Sequence, residues 1–308
     1  MTQPARSAGD AAACPKGRES GTRAGVSRSP RSLARPHNDG APRFDPSVPN
    51  VARLYDYLLG GKDSYASDRR AAAELLKIVP DAAIAARQNR EFLRRAVRFL
   101  ARDCGIRQFI DIGTGLPTQG NVHEVAQKYV PDARVLYVDN DPVVVAHAQA
   151  LLVKNATTVA IGRDIRDPSD ILGHPALQAL IDLGKPVAIL LVAILHFIRD
   201  SENPHAIVEL LKQALAPGSY LVVSHVTGDD ISAEAAELAR GVYENSSAPG
   251  VLRTRESVVR FFGGLELIPP GVVDVSSWRP NRRAPKSASR TIFYAGVGRK
   301  LSAGTSAQ

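Results

Sequence analysis

The chain has 308 residues, 44% of them hydrophobic, enough to bury a sizeable core in one large α/β domain with additions or in two small ones. The net charge of +8 is uneven: residues 1–45 hold eight Lys/Arg against four Asp/Glu, half of the surplus, so the rest is only mildly basic and no dedicated nucleic-acid surface is implied. Two cysteines, Cys14 and Cys104, make neither a disulfide framework nor a zinc pattern and fit a reducing cytoplasm; no apolar run reaches the roughly 18 residues of a membrane span, and no apolar block follows the basic N-terminus as a secretion signal requires.

Residues 1–45 are rich in Ala, Arg, Ser, Gly and Pro, with only Val26, Leu33 and Phe44 as larger apolar groups, and read as a disordered basic tail. From Pro49 the texture changes. Val51, Leu54, Tyr55, Leu58 and Leu59 fall at helical spacing, and Gly60-Gly61 ends that helix. A second helix is expected after Ser67 or Asp68, either of which can cap it. Tyr55, Tyr57, Lys62, Asp63 and Tyr65 crowd around the glycine pair, as a lid over a pocket does; packing with the hydroxyl in water is the plainer reading. Ala82 to Arg102 is a strongly amphipathic helix with Phe92, Leu93, Ala96, Phe99 and Leu100 on its buried stripe. Arg90 lies just ahead of that stripe, where its fork can reach a ligand carboxylate or simply face water. Residues 46–104 thus form an N-terminal helical cover.

Next comes QFIDIGTGLPT, residues 108–118: an apolar strand cut off by Gly113-Thr114-Gly115, with a helix expected over Gln119 to Val130. The third glycine of the dinucleotide fingerprint is replaced by Pro117-Thr118, and proline in a first helical turn removes a donor that a pyrophosphate wants. Strands are then expected at Arg134–Val138, Thr157–Ile161, Pro186–Ala193, Tyr220–Ser224 and Thr291–Val297, with strand pieces at Leu265–Leu267 and Val272–Val275. Helices fill the gaps at Val143–Lys154, Pro204–Leu215, Ala233–Glu244 and Thr254–Phe262. Repeated β-α units demand a mainly parallel sheet, with the ligand at the carboxyl ends of its strands.

The residues just past each strand form a set. Asp111 stands with Gly113 and Gly115, Asp139 and Asn140 follow the second strand, Asp164 and Ile165 the third, and Ala193 to His196 the fourth. An acid after the second strand accepts from a ribose diol, and Asp164 with the Ile165 N–H suits an adenine edge. Each acid alone reads equally as a helix cap. Together, with few phosphate donors, they fit S-adenosyl-L-methionine better than NAD. His196 and His225 follow the fourth and fifth strands, where a proton acceptor would stand, although a histidine there is more often structural.

With these residues assembled, the chain resembles the actinobacterial S-adenosylmethionine-dependent methyltransferase family formerly catalogued as a domain of unknown function. The matching segments include PNVARLYDYLLGGKDSYASDR, GIRQFIDIGTGLPT, VLYVDNDPVVVAHAQALL and LAPGSYLVVSH, between Pro49 and Gly298. The resemblance implies an α/β class I methyltransferase (Rossmann-like) fold: a seven-stranded, mainly parallel sheet over 105–300, its last-entered strand antiparallel, with helices on both faces. It implies a cofactor site of Asp111, Gly113, Gly115, Asp139, Asn140, Asp164, Ile165 and Ala193, with Arg90 on the carboxylate. The apolar Val192-Ala193-Ile194 departs from the family's pattern and leaves the acceptor side undefined. His196 and Tyr57 are the candidate catalytic groups. The expected activity is methyl transfer to a small-molecule acceptor; the alternative is a non-catalytic, S-adenosylmethionine-binding regulatory protein. Residues 301–308 are expected to be disordered, no metal is called for, and the oligomeric state is open.

Overall fold

The computed structural model describes residues 45–117, 120–153, 156–280 and 291–302. The expected tail lies outside these, except for Asp45, as do residues 303–308 of the expected C-terminal extension. The first three helices are α1 (Val51–Leu59), α2 (Ala66–Ile78) and α3 (Ala82–Arg98), the last ending in a π-helical turn at Phe99–Asp103. Asn50 caps α1 by accepting from the Ala52 and Arg53 N–H groups, and Gly60, in the left-handed region at φ 86°, closes it. α2 begins earlier than the sequence suggested. Asp68 is not its N-cap but sits in its first turn, where its carboxylate accepts from the Tyr65 N–H at 2.7 Å and pairs with Arg53 at 2.7 Å.

The sheet follows: β1 (Gln108–Ile112), β2 (Arg134–Asp139), β3 (Thr158–Gly162), β4 (Ala188–Val192), β5 (Tyr220–Val226), β6 (Glu266–Leu267), β7 (Val273–Asp274) and β8 (Phe293–Arg299), in the order β3-β2-β1-β4-β5-β8-β6. β1 to β5 pair in parallel and β8 runs antiparallel to β5. β6 and β7 both pair with β8, on either side of the cis Pro269-Pro270 turn, and so divide one edge position between them. The expected seven-stranded, mainly parallel sheet is therefore present, with its edge strand in two pieces.

Alternation along the strands assigns the two faces. Phe109, Val135, Tyr137, Ala188, Leu190 and Val222 pack with α3 and with Trp278 on one side; Ile110, Leu136, Val138, Ile189, Leu191 and Val223 pack on the other. The first side is closed by α3, α4 (Val122–Ala126) and α5 (Pro142–Leu151), the second by α6 (Pro168–Leu172), α7 (Pro175–Leu180), α8 (Pro204–Gln213) and α10 (Arg255–Arg260). The short helices α6 and α7 carry Ile171, Leu177 and Leu180 into this core and were not foreseen from the sequence. A third apolar cluster joins α1, α2 and the start of α3 to Ala239 and Val242 of α9 (Ala233–Glu244), so the cover draws on a helix nearly two hundred residues downstream.

Candidate active site

β1 leaves the sheet through Gly113 and Gly115. The Gly113 N–H donates to the Val138 carbonyl at 2.8 Å and the Gly115 N–H to the Asp139 carboxylate at 2.9 Å, so the turn is tied to the end of β2. The other oxygen of Asp139 accepts from the Asp141 N–H at 3.0 Å. Gly113 has φ 75°, and a Cβ there would meet Ile194 at 2.6 Å. The glycine is thus required by the chain's own packing against the loop after β4, not by a ligand alone.

The helix after this turn, expected over residues 119–130, is shorter and spans Val122–Ala126, and Pro117 lies in the loop before it. Asn121 caps it, and Glu124 accepts from the Gly120 and Asn121 N–H groups at 2.8 and 2.9 Å. Those donors are already committed within the chain, which removes the usual seat for a pyrophosphate.

The strand ends open into a cavity of about 550 Å³ roofed by α1, α3 and α9. Asp111, Gly113, Gly115, Asp139, Asn140, Ile165, Ala193, Arg90 and His196 all line it. Burial pushes the Asp111 carboxyl up to about 7, against the pull of Arg90 and with a push from Asp139. Asp139 is pushed up to about 6 by burial, which the N–H groups of Asp141 and Gly115 oppose. Arg90 donates to Asn121 through Nη2 at 3.1 Å, while its Nε is buried without a hydrogen-bond partner. Ala193 holds φ 59°, a left-handed conformation that costs a non-glycine residue about 1–2 kcal/mol, and its N–H donates to Ser224 Oγ at 3.0 Å.

Three of the residues singled out in the sequence are placed otherwise. Asp164 does not line the cavity: its carboxylate accepts from the Asn140 amide at 2.9 Å and pairs with Arg166 at 3.1 Å. Tyr57 packs in the cover's apolar cluster, also away from the cavity. His225 is buried between Arg253, whose Nη1 lies 2.8 Å from Nε2, and the Val226 carbonyl, 2.6 Å from Nδ1. Since arginine only donates, His225 carries its proton on Nδ1 and spends both nitrogens on structure. Burial holds it down to about 3.

His196 is different. It is 6% exposed, lines the cavity, and its Nδ1 has no hydrogen-bond partner. Burial, then His225 and the Arg253 guanidinium, keep its pKa well below the ordinary histidine value, so it stands as a neutral imidazole. Of the other lining residues, Tyr55 stands in the group the sequence offered as a lid and Asn89 directly precedes Arg90 on the same helix, whereas Asn50, Phe197, Tyr243 and Phe293 were not selected. Asn50 donates from its side chain to Asp141 at 2.6 Å and so joins the start of α1 to the loop of Asp139. Tyr55 donates to the Ala86 carbonyl at 3.1 Å and accepts from Asn89 at 2.9 Å, leaving Asn89 Oδ1 buried without a partner. Phe197, Tyr243 and Phe293 complete the wall. No local signal marks these three, because aromatic residues at such positions read as ordinary core.

A sheet of this order, with a glycine turn and two buried carboxylates at adjacent strand ends, defines a class I S-adenosylmethionine-dependent methyltransferase fold. The chain belongs to the S-adenosyl methyltransferase family, whose model matches residues 37–301. It is 44% identical to a candidate methyltransferase from Thermobifida fusca of known structure, over 83% of this chain and 96% of that one, with a TM-score of 0.79. It is 40% identical to a DUF574 family protein from Streptomyces avermitilis, over 84% of this chain and all of that one (100%), also with a TM-score of 0.79. No curated protein matches it. The cofactor of this family is S-adenosylmethionine, and the donor set fits it: a buried acid for an ammonium, an acid for a diol, and an arginine with an unsatisfied Nε for a carboxylate. Among the described residues no group of three or more His, Cys, Asp or Glu side chains is placed to hold a metal ion, and no helix is long and apolar enough to cross a membrane.

Proposed function

We propose that the protein transfers a methyl group from S-adenosylmethionine to a small-molecule acceptor bound beneath the helical cover. The observation that carries this reading is the convergence of Asp111, Asp139 and Arg90 on one roofed cavity with space beyond them. Asp111 takes the cofactor's ammonium, Arg90 its carboxylate and Asp139 its ribose hydroxyls, with Asn140 and the backbone at Ile165 beside the adenine. Asp164 acts through Asn140, which it holds in place. When bound, the cofactor supplies an electrophilic methyl on a sulfonium centre. The chain aligns the acceptor and excludes water under α1 and α9, and His196, a neutral imidazole that lines the cavity as Tyr57 does not, hydrogen-bonds the acceptor and passes its proton on to solvent rather than holding it. Such a reaction suits a reducing cytoplasm, where Cys104, a free thiol, persists.

Calorimetric titration with S-adenosylhomocysteine tests the site. Asp139→Ala removes a charged acceptor of two hydroxyls and is expected to weaken binding by roughly tenfold to a hundredfold or more. Undiminished affinity overturns the assignment. Labelled methyl transfer into the small-molecule fraction of a cell extract tests catalysis; binding without any transfer would leave a non-catalytic binding protein instead.

A further inference from the structure

The cavity has two chemically different halves. Asp111, Asp139 and the glycine turn belong to the β1–β2 side of the sheet. On the β4–β5–β8 side stands a row of rings. Phe293 begins β8 opposite Val226, the last residue of β5, and its ring lies 6.0 Å from that of His196. The His196 ring lies 4.3 Å from Phe197, and Phe197 lies 5.9 Å from Tyr243 of α9. All four rings line the cavity, and the apolar Leu58, Leu75 and Ala86 of the cover helices line it too.

Resting on the methyl-transfer reading above, we infer that this half is the acceptor subsite, and that it takes a flat, uncharged aryl molecule bearing a hydroxyl. Rings present their faces and edges to another ring at centroid spacings of about 4.5–7 Å, and these four stand 4.3–6.0 Å from their neighbours in the row, so an aryl guest continues the row where a saturated one of equal size does not. A hydroxyl on that guest, with its single proton, can donate to Asn89 Oδ1 or, when the ring proton of His196 is on Nε2, to His196 Nδ1, both of which have no partner within the chain. The Asn89 amide is oriented by Tyr55, which donates to the Ala86 carbonyl and can therefore only accept from the Asn89 NH₂.

A row of rings also suits an ammonium, but the charges here argue against one. The formal charge that acts on His196 is the Arg253 guanidinium, and it is repulsive to a cation. Of the carboxylates in the lining, Asp45 accepts from the Ser47 N–H and hydroxyl, and Asp141 is committed to the α5 cap and to Asn50. Asp56 accepts from the Asp63 N–H and packs against Gly61, where a Cβ would lie 2.0 Å from it. Asp111 and Asp139 stand on the cofactor side. No carboxylate belongs to the ring row itself.

The test uses the full chain saturated with S-adenosylhomocysteine and three probes of one size: naphthol, its saturated analogue decalol, and naphthylmethylamine. Binding is read by calorimetry, and for naphthol also by its fluorescence. Naphthol is expected to bind at least about tenfold more tightly than either of the others, and Tyr243→Leu or Phe293→Leu to weaken it by about tenfold with the affinity for S-adenosylhomocysteine unchanged. Equal or tighter binding of decalol or of the amine overturns the inference, as does indifference to both substitutions. The comparison of probes on the unmodified protein decides the matter even if a variant fails to fold. Failure of S-adenosylhomocysteine itself to bind would instead sink the methyl-transfer reading, so the two failures are distinct.

Discussion

At Asp111 a carboxylate is buried at 5% exposure beside one partly committed arginine, and the cost of that burial shows in its pKa of about 7. Because the folded value lies above the ordinary 3.8, the protonated form is favoured in the native state, and Asp111 lowers stability progressively as pH rises from about 4 through 7. Asp111→Asn removes that penalty. The ligand-free variant is expected to match the parent near pH 4 and to exceed it in stability at pH 8, by denaturant titration; a constant difference between them would contradict the burial argument. Binding has the opposite sign, since an ammonium needs the ionised acid. Affinity for S-adenosylhomocysteine should fall as pH drops below about 7, by up to about tenfold per unit, and in the variant only the part of this dependence that Asp139 contributes, below about 6, should remain. The sequence placed Asp111 and Asp139 in the site because each stands at a strand end. It did not disclose that Gly113 serves the packing of Ile194, since that contact joins residues 81 positions apart.

Among the elements, α1 has most to do with access. Its N-terminus is fixed by Asn50, which caps the helix through Oδ1 and reaches Asp141 through Nδ2, while Ser247 after α9 binds the same corner at 3.1 Å to the Val51 N–H. The buried Arg53–Asp68 pair fastens α2 to the same helix. Asn50→Ser keeps a capping oxygen and loses the link to Asp141. Stability is expected to change by no more than about 0.5 kcal/mol. Dissociation of S-adenosylhomocysteine, followed by stopped flow, should quicken several-fold; an unchanged rate would mean that the link does not govern release. α1 itself was legible from its apolar spacing and from Gly60-Gly61. Its partner α9 was legible as a helix, running over Ala233–Glu244 as expected, but not as part of the roof. An amphipathic pattern tells which face is buried, never against what.

For the whole molecule, the site is a seam between the sheet and the cover, so a ligand that fills it links both. A saturating ligand at about 100 times its Kd adds about 2.7 kcal/mol to the native state, which for a domain of this size raises Tm by about 5–10 °C. S-adenosylhomocysteine is expected to do this and NADH to leave Tm unchanged; the reverse result would return the fold to the dinucleotide binders. By itself the sequence determined the alternation of strands and helices, the faces they bury and the acids at the strand ends. All of these follow from periodicity and from residues adjacent in the chain. Only the tertiary structure decided that His225 is spent on Arg253 while His196 lines the cavity, that Asp164 is bonded to Asn140 outside the lining, and that Phe197, Tyr243 and Phe293 line it. Those are outcomes of which segments meet, and meeting is set by the packing of distant elements, to which local spacing carries no pointer.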